Sequence, residues 1–177
     1  MINIRKSLFE TNSSSTHAIC IAKSSDNLNI PDELTFYVGE YGWENGVLNT
    51  IEERASYLYT ALLCKYVKYN KSPTSYEMEN VKDNLYELLG NYGCEATFVE
   101  PEVDAWGFYD YYIDHSWETE EFINKVMSSD KALLRYLFSP DSFVVTGNDN
   151  SDWFYDWEDE FKESEEYKKV DYYYKGN

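Results

Sequence analysis

The sequence predicts an α+β fold, a single domain over residues 1–177 with a mostly antiparallel β-sheet covered by an antiparallel helix pair and by shorter acidic helices. Two observations predict this fold. Two apolar stripes of helical period follow capping signals in the middle of the chain, and short runs of β-branched and aromatic residues occur on both sides of them. A chain of 177 residues is long enough to bury a core within one domain.

The predicted strands are short runs rich in β-branched and aromatic residues, bounded by turn-forming residues. The first two, residues 2–9 and 18–22, flank a polar loop across which we expect them to pair. The last, residues 170–175, suits an exposed sheet edge because lysines and tyrosines fill it. The full set is 2–9, 18–22, 34–38, 94–99, 106–113, 142–146 and 170–175.

Two long helices are predicted in the middle of the chain. The first begins at Thr50, where Thr50 and Glu53 have capping-box spacing, and runs to about residue 70. The second begins at Thr74 and ends at Gly90, a residue type that favours helix termination. Their apolar residues recur at spacings of three and four, which we interpret as core stripes that bring the helices together. The stripes are Ile51, Ala55, Leu58, Leu62, Tyr66 and Tyr69 on the first helix, and Met78, Val81, Leu85 and Leu88 on the second.

Three shorter helices are predicted in the C-terminal half. Residues 118–127 and 130–138 are separated by Ser128 and Ser129, which suit a helix break followed by a new N-cap. The final helix is acidic and runs to about residue 168. Its aromatic residues at a spacing of four are Trp153, Trp157 and Phe161.

The formal net charge of −18 is unevenly distributed, because residues 83–124 and 136–161 contain no lysine or arginine. This charge disfavours direct nucleic-acid binding, since lysines and arginines supply the affinity for phosphates. An acidic surface rich in aromatic residues instead suits a basic protein partner, including the nucleic-acid groove of another protein. The alternative is that the charge serves only solubility. The candidate binding residues are Asp110, Glu118, Asp152, Trp153, Asp156, Trp157, Asp159 and Glu163.

The three cysteines, Cys20, Cys64 and Cys94, are odd in number and widely spaced, which favours reduced thiols in a cytoplasmic protein. No apolar run approaches the ~20 residues that span a bilayer, so we expect no membrane association. No cofactor is predicted. The spacing of His17 and Cys20 leaves a structural zinc ion as an alternative, although residues three apart on a strand point to opposite faces.

The polar loop is residues 9–17, with the sequence Phe-Glu-Thr-Asn-Ser-Ser-Ser-Thr-His. It brings together hydroxyls, an amide, a carboxylate and an imidazole, a set suited to acid–base or nucleophilic chemistry. A second histidine, His115, lies between an aspartate and a serine. The alternative is a solvated hairpin loop, since none of these serines has the Gly-x-Ser-x-Gly setting of a nucleophile elbow. The candidate catalytic residues are Glu10, Ser13, Ser14, Ser15, His17 and His115.

The polar loop and three later segments, residues 39–44, 112–116 and 146–150, resemble a group of small proteins from low-GC Gram-positive bacteria, their phages and mobile elements, which open with the motif FETNSSSTH. Some members of such mobile-element families act against host defence. Together with the charge, the resemblance implies an anti-CRISPR-like inhibitor of a host defence nuclease, with a basic groove of a Cas nuclease such as Cas9 as its target in the host cytoplasm. The alternative is a small hydrolase, nuclease or transferase of unknown substrate that uses the polar loop with His17 and His115.

Overall fold

The computed structural model describes residues 15–24, 26–42, 44–66, 73–103, 109–114, 119–148 and 152–176. The predicted strand over residues 2–9 and most of the polar loop lie outside these ranges. The strands are β1 Ser15–Ala22, β2 Glu33–Phe36, β3 Glu40–Tyr41, β4 Gly46–Leu48, β5 Glu95–Phe98, β6 Tyr112–Ile113, β7 Phe143–Asn148 and β8 Val170–Gly176. The helices are α1 Ile51–Tyr66, α2 Tyr76–Asn91, α3 Glu120–Val126, α4 Asp130–Phe138 and α5 Asp152–Glu163, with a 3₁₀ turn at Tyr167–Lys169.

The central sheet has the strand order β4-β7-β1-β8, and all its pairings are antiparallel. All eight residues of β1 are buried, because helices cover both faces of this strand. Ile19 and Ile21 face the main core with α1 and α4, whereas Ala18 and Cys20 face α5. The predicted mostly antiparallel sheet is therefore confirmed, and β8 is one of its edges, as predicted.

β1 begins three residues before its predicted start. The strand was predicted from residue 18, but Ser15, Thr16 and His17 pair with Asn148, Gly147 and Thr146 of β7. The last three residues of the predicted polar loop are thus strand residues. Their ladder partners are distant in sequence, so local composition could not indicate this pairing.

The predicted helix pair is present, and α1 contacts both α2 and the sheet strands. The capping box at the start of α1 is formed: the Glu53 carboxylate accepts from the Thr50 backbone N–H at 3.0 Å, and the Thr50 hydroxyl accepts from the Glu53 N–H at 3.2 Å. Both core stripes are buried or half-buried along the described length of the helices. The two capped, amphipathic helices therefore fold as their patterns predict.

The ends of α2 differ from the prediction. Its N-cap is Ser75 rather than Thr74, with the Ser75 hydroxyl accepting from the Met78 N–H at 3.4 Å. Gly90 lies inside the helix, and the positive φ of 82° that follows the helix belongs to Gly93. Either glycine satisfies the sequence pattern, but only Gly93 occupies the left-handed conformation that glycine adopts without strain.

Two short parallel strand pairs, β2 with β5 and β3 with β6, lie outside the central antiparallel sheet. The segment that follows β2 forms hydrogen bonds to side chains of α1. The Tyr37 N–H donates to the Ser56 hydroxyl at 3.4 Å, and the Gly39 N–H donates to the Thr60 hydroxyl at 3.0 Å. These two hydroxyls occupy the place of a neighbouring strand, which explains why α1 buries polar residues.

A buried arginine joins α1 to α4 and β7. Arg54 is 1% exposed, and its guanidinium donates to the Leu137 carbonyl at 2.6 and 3.2 Å and to the Ser142 carbonyl at 2.8 Å. It also donates to the Asn49 carbonyl. Leu137 lies in the last turn of α4, so Arg54 satisfies a helix carbonyl that has no intrahelical partner.

The final helix is shorter than predicted and buries a different face. It ends at Glu163, and its buried residues are Phe154, Glu158 and Phe161. Trp157 is half-buried and stacks on Phe161 with centroids 5.1 Å apart, whereas Trp153 is 37% exposed. Within the described ranges, no helix has both the length and the apolar character needed to cross a bilayer.

Candidate functional site

Four segments that are far apart in the sequence meet at one end of the central sheet. They are Ser15–His17 on β1, residues 39–42 and 44 around β3, residues 112–114 with β6, and residues 146–148 on β7, the described parts of the motifs that carry the resemblance. β1 pairs with β7, and β3 pairs with β6. We name this end of the molecule the motif pole.

Hydrogen bonds link the motif segments to one another. The Ser15 hydroxyl donates to the Asp114 carbonyl at 3.3 Å, which joins the first segment to the third. The Thr146 hydroxyl donates to the Glu44 carbonyl at 2.8 Å, and the Asn148 N–H donates to the Asn45 side-chain oxygen at 3.4 Å. With the strand pairings, these bonds connect the four segments in a closed ring. The polar side chains of the motifs therefore bind the backbone of neighbouring segments.

Two motif glycines allow this close approach. A Cβ on Gly42 would lie 2.7 Å from the Asp114 Cβ, and the φ of this glycine is 154°. A Cβ on Gly147 would lie 2.9 Å from the Phe154 ring of α5. A larger residue at position 42 would have to displace Asp114, and one at position 147 would have to displace the Phe154 ring.

A buried chain of hydrogen-bonding side chains runs from the motif pole into α1. The Ser15 hydroxyl lies 3.0 Å from His17 Nε2, and His17 Nδ1 lies 3.3 Å from the Tyr57 hydroxyl. Ser15 has a single hydroxyl proton. If that proton is on the Asp114 carbonyl, Nε2 is the donor to Ser15 and Nδ1 accepts from Tyr57. Burial raises the pKa of Tyr57 well above its usual value, which keeps this phenol protonated.

The hydrogen bonds among Ser15, His17 and Tyr57 could belong to a catalytic site or could stabilise the fold. A serine within 3.0 Å of a histidine nitrogen is the beginning of a nucleophile–base pair. When Nε2 carries the ring proton, however, the histidine donates to the serine and cannot accept its proton. Ser15 is 1% exposed and His17 is 4% exposed, so neither presents a reactive atom to solvent. The arrangement is that of a satisfied buried polar network.

The structure places the other candidate catalytic and metal residues as follows. Glu10, Ser13, Ser14 and His115 lie outside the described residues. His17 and Cys20 lie on opposite faces of β1, His17 with Tyr57 and Cys20 with Phe161, which separates the candidate zinc ligands. Burial also raises the pKa of the Cys20 thiol, which disfavours the thiolate that zinc binds. The described ranges contain no group of three or more side chains able to hold a metal ion.

The outer face of α5 presents a row of carboxylates. We name it the acidic face, and it consists of the exposed residues Asp152, Asp156, Asp159, Glu160 and Glu163. Their spacings of three, four and seven place them along one side of the helix. Trp153, 37% exposed, and Tyr155, 41% exposed, lie on either side of the row. Four of these carboxylates and Trp153 were predicted binding residues. Asp110 is exposed near β6, and Glu118 lies outside the described residues.

A buried carboxylate under the acidic face binds two lysines. Glu158 is 6% exposed and accepts hydrogen bonds from Lys162 at 2.6 Å, from Lys175 at 2.7 Å and from the Tyr173 hydroxyl at 2.7 Å. Burial alone would raise its pKa, but these three donors lower the pKa to about 2. The burial of this glutamate could not be predicted from the sequence, since its partners Tyr173 and Lys175 on β8 are distant in the chain.

Comparisons with known proteins identify no relative: no protein-family model, no curated protein and no solved structure matches this chain. The geometry of the motif pole and of the acidic face is therefore the basis for assigning a function.

Proposed function

We propose that this protein is an anti-CRISPR-like inhibitor that binds a basic nucleic-acid groove of a Cas nuclease through the acidic face of α5. The observation that carries the proposal is the exposed row of five carboxylates flanked by Trp153 and Tyr155. Aromatic residues anchor interfaces, and a carboxylate row complements a cationic groove. The net charge of −18 would add long-range attraction to such a groove.

The charge spacing of the acidic face supports nucleic-acid mimicry. The helix rises ~1.5 Å per residue, so residues 152–163 span about 16 Å. Five carboxylates over that length are on average roughly 4 Å apart along the helix axis, similar to the ~3.4 Å per phosphate along one strand of B-DNA. A groove built to bind phosphates would therefore meet a similar linear density of charge.

Glu158 reduces the positive charge beside the acidic face. Lys162 on α5 and Lys175 on β8 both donate to the buried Glu158 carboxylate, which neutralises one of the two charges. Lys175 is additionally placed over the Phe154 and Tyr155 rings, with its Nζ 5.3 and 4.8 Å from the ring centroids. The two lysines and Glu158 together carry a net charge of +1, against −5 for the five surface carboxylates, so the face as a whole stays negative.

Inhibition of DNA cleavage by guide-loaded Cas9 tests the proposal. The wild-type protein should bind the complex, compete with target DNA and slow cleavage. Replacing Asp156, Asp159 and Glu163 together by lysine should remove both effects. The matched control replaces Glu77, Asp83 and Glu87 on the exposed side of α2 by lysine, which makes the same change in net charge. The control should retain inhibition.

Two results would contradict this proposal. Absence of binding and inhibition by the wild-type protein would overturn the assignment of the target. Equal losses in the α5 and α2 variants would show that net charge, rather than the acidic face, determines the interaction.

The second candidate function is hydrolysis or group transfer at Ser15, which is favoured by the 3.0 Å contact between Ser15 and His17 Nε2. A fluorophosphonate probe tests it, because such reagents label serines activated by a neighbouring base. Labelling of the wild-type protein but not of Ser15→Ala or His17→Ala would support the enzyme. The burial of both residues leads us to expect no labelling.

A further inference from the structure

Asn45 and Gly46 form the one Asn-Gly pair of the chain, and they connect the motif pole to β4. Asn45 is exposed and precedes the strand, and Gly46 is the first residue of the strand. The backbone nitrogen of the residue after an asparagine can attack the side-chain carbonyl and close a small ring. When that residue is glycine, no Cβ hinders the attack. The pair is therefore reactive without help from a catalytic side chain.

The fold polarises the side-chain carbonyl of Asn45. The Asn148 backbone N–H, on β7, donates to Asn45 Oδ1 at 3.4 Å. Oδ1 is the atom that gains negative charge when a nucleophile adds to Cγ, so this donor lies where an oxyanion would form. Gly147 leaves room for the oxygen, since a Cβ at position 147 would lie 3.1 Å from Oδ1. The motif pole thus holds an exposed, polarised amide next to a glycine nitrogen.

We propose that Asn45 is a site of spontaneous deamidation in the folded protein. The Gly46 nitrogen loses its proton to hydroxide and forms a bond to Asn45 Cγ. The bond between Cγ and Nδ2 then breaks, and Nδ2 takes a proton from water and leaves as ammonia. Water opens the resulting succinimide at either carbonyl, which leaves aspartate or isoaspartate at position 45. Water is the only co-reactant, and no atom changes its oxidation state.

The two products differ in their effect on the motif pole. Both add one negative charge, and aspartate keeps a side-chain oxygen in place for the Asn148 N–H. Isoaspartate instead routes the main chain through the side chain, which inserts a methylene group before Gly46. That insertion moves Gly46 away from its ladder partner Thr146, whose hydroxyl also donates to the Glu44 carbonyl. Isoaspartate therefore loosens β4 from β7, and this inference is independent of the proposed function.

The test incubates the folded full chain at neutral and at mildly alkaline pH and follows the conversion of amide to acid by peptide mass spectrometry. Residue 45 should convert at least about tenfold faster than Asn84 and Asn91, exposed asparagines that precede larger residues. The rate should rise with pH, because the attacking nitrogen must lose its proton. Gly46→Ala should slow conversion at least about tenfold. This variant should keep the fold, since its Cβ would meet Thr146 Oγ1 at 3.7 Å, an ordinary contact.

Ion-exchange chromatography separates the aged protein by its added charge, and urea denaturation then measures the effect on the fold. The aged fraction, which contains isoaspartate, should unfold at a lower urea concentration than intact protein. Asn45→Asp is the matched control for the charge and should unfold close to intact protein. Conversion only when the chain is unfolded in urea would overturn the inference, because strand pairing would then protect the amide. Equal rates for wild type and Gly46→Ala would exclude attack by the Gly46 nitrogen, and equal midpoints for the aged fraction and Asn45→Asp would refute the effect on β4.

Discussion

Arg54 shows at the scale of a single residue how this fold satisfies backbone groups that its loops leave open. The guanidinium donates to the carbonyls of Asn49, just before α1, and of Leu137 and Ser142, at the two ends of the connection from α4 to β7. Burial lowers its pKa below the usual value, but arginine remains charged in proteins. A buried charge of this kind contributes because its donors replace water at carbonyls that would otherwise be unpaired.

Arg54→Met should lower the free energy of unfolding by about 3 to 5 kcal/mol, since it leaves several buried carbonyls without donors. Urea denaturation measures the loss. Arg54→Lys should recover only part of it, because an ammonium cannot reproduce the fork that binds Leu137 twice. Lys131→Met, an exposed change on α4, is the control and should shift stability by less than about 0.5 kcal/mol. A similarly small loss for Arg54→Met would refute the role given to this residue.

Glu158 makes a pH-dependent contribution whose sign follows from its lowered pKa. The pKa falls from the usual 4.5 to about 2 in the folded protein, so the ionised form is favoured by folding. The stabilisation is present above about pH 4.5 and is lost as the pH falls towards 2, and it is on the order of 3 kcal/mol. The difference in unfolding free energy between wild type and Glu158→Gln should therefore shrink as the pH falls from about 5 to about 2.

Chemical denaturation at several pH values measures that difference. Glu165→Gln is the control, because Glu165 forms an ion pair with Lys168 at the surface with 81% of its side chain exposed. It should give a small difference at every pH. A Glu158→Gln difference that stays constant across the same pH range would show that the carboxylate acts only through packing.

At the scale of elements, the helix pair α1 and α2 forms the most predictable part of the core. Leu62 is 1% exposed and Leu85 is fully buried, as their stripes predict. Leu62→Ala or Leu85→Ala should each lower the free energy of unfolding by ~2–5 kcal/mol, the cost of a cavity in a packed core. Urea denaturation measures it, with the exposed Asn84→Ala on α2 as the control. Losses below about 1 kcal/mol would contradict the assigned packing.

The elements that sequence predicted well are those determined by local signals. The Thr50–Glu53 capping box and the Ser129 N-cap of α4 depend on residues within one turn of each other. The early start of β1 and the parallel pairing of β2 with β5 depend on partners that are distant in the chain. Long-range pairing leaves no period in the sequence, so these features could not be predicted from it.

The candidate site also contains features that follow from local sequence and features that depend on distant residues. The carboxylates of the acidic face were predicted because acidic composition is a local property of α5. Tyr57 was not, since it lies 40 positions from His17 and belongs to a helix whose pattern predicts only core. The burial of Glu158 was also missed, because Lys175 approaches it from β8, 17 positions away. Composition predicts a surface, whereas a buried polar network becomes visible only in three dimensions.

At the scale of the whole molecule, the distribution of charge decides how a basic partner is approached. Under the proposed function, a formal charge of −18 would attract such a partner at long range whichever face leads, whereas the acidic face would determine the oriented encounter. Two variants separate these effects. Replacing Asp156, Asp159 and Glu163 by lysine, or Glu77, Asp83 and Glu87 by lysine, changes the net charge by the same six units, from −18 to −12.

If the acidic face docks, the α5 variant should associate with guide-loaded Cas9 at least about tenfold more slowly than the α2 variant at low ionic strength. Raising the salt concentration should slow the wild-type association steeply, because exposed charges are screened beyond ~10 Å at 0.1 M. The α5 variant should show a shallower salt dependence than the α2 variant. Stopped-flow or biolayer kinetics from about 0.05 to 0.5 M NaCl measures both slopes. Parallel slopes for the two variants would mean that the partner responds to total charge, and the acidic face would then have no special part in docking.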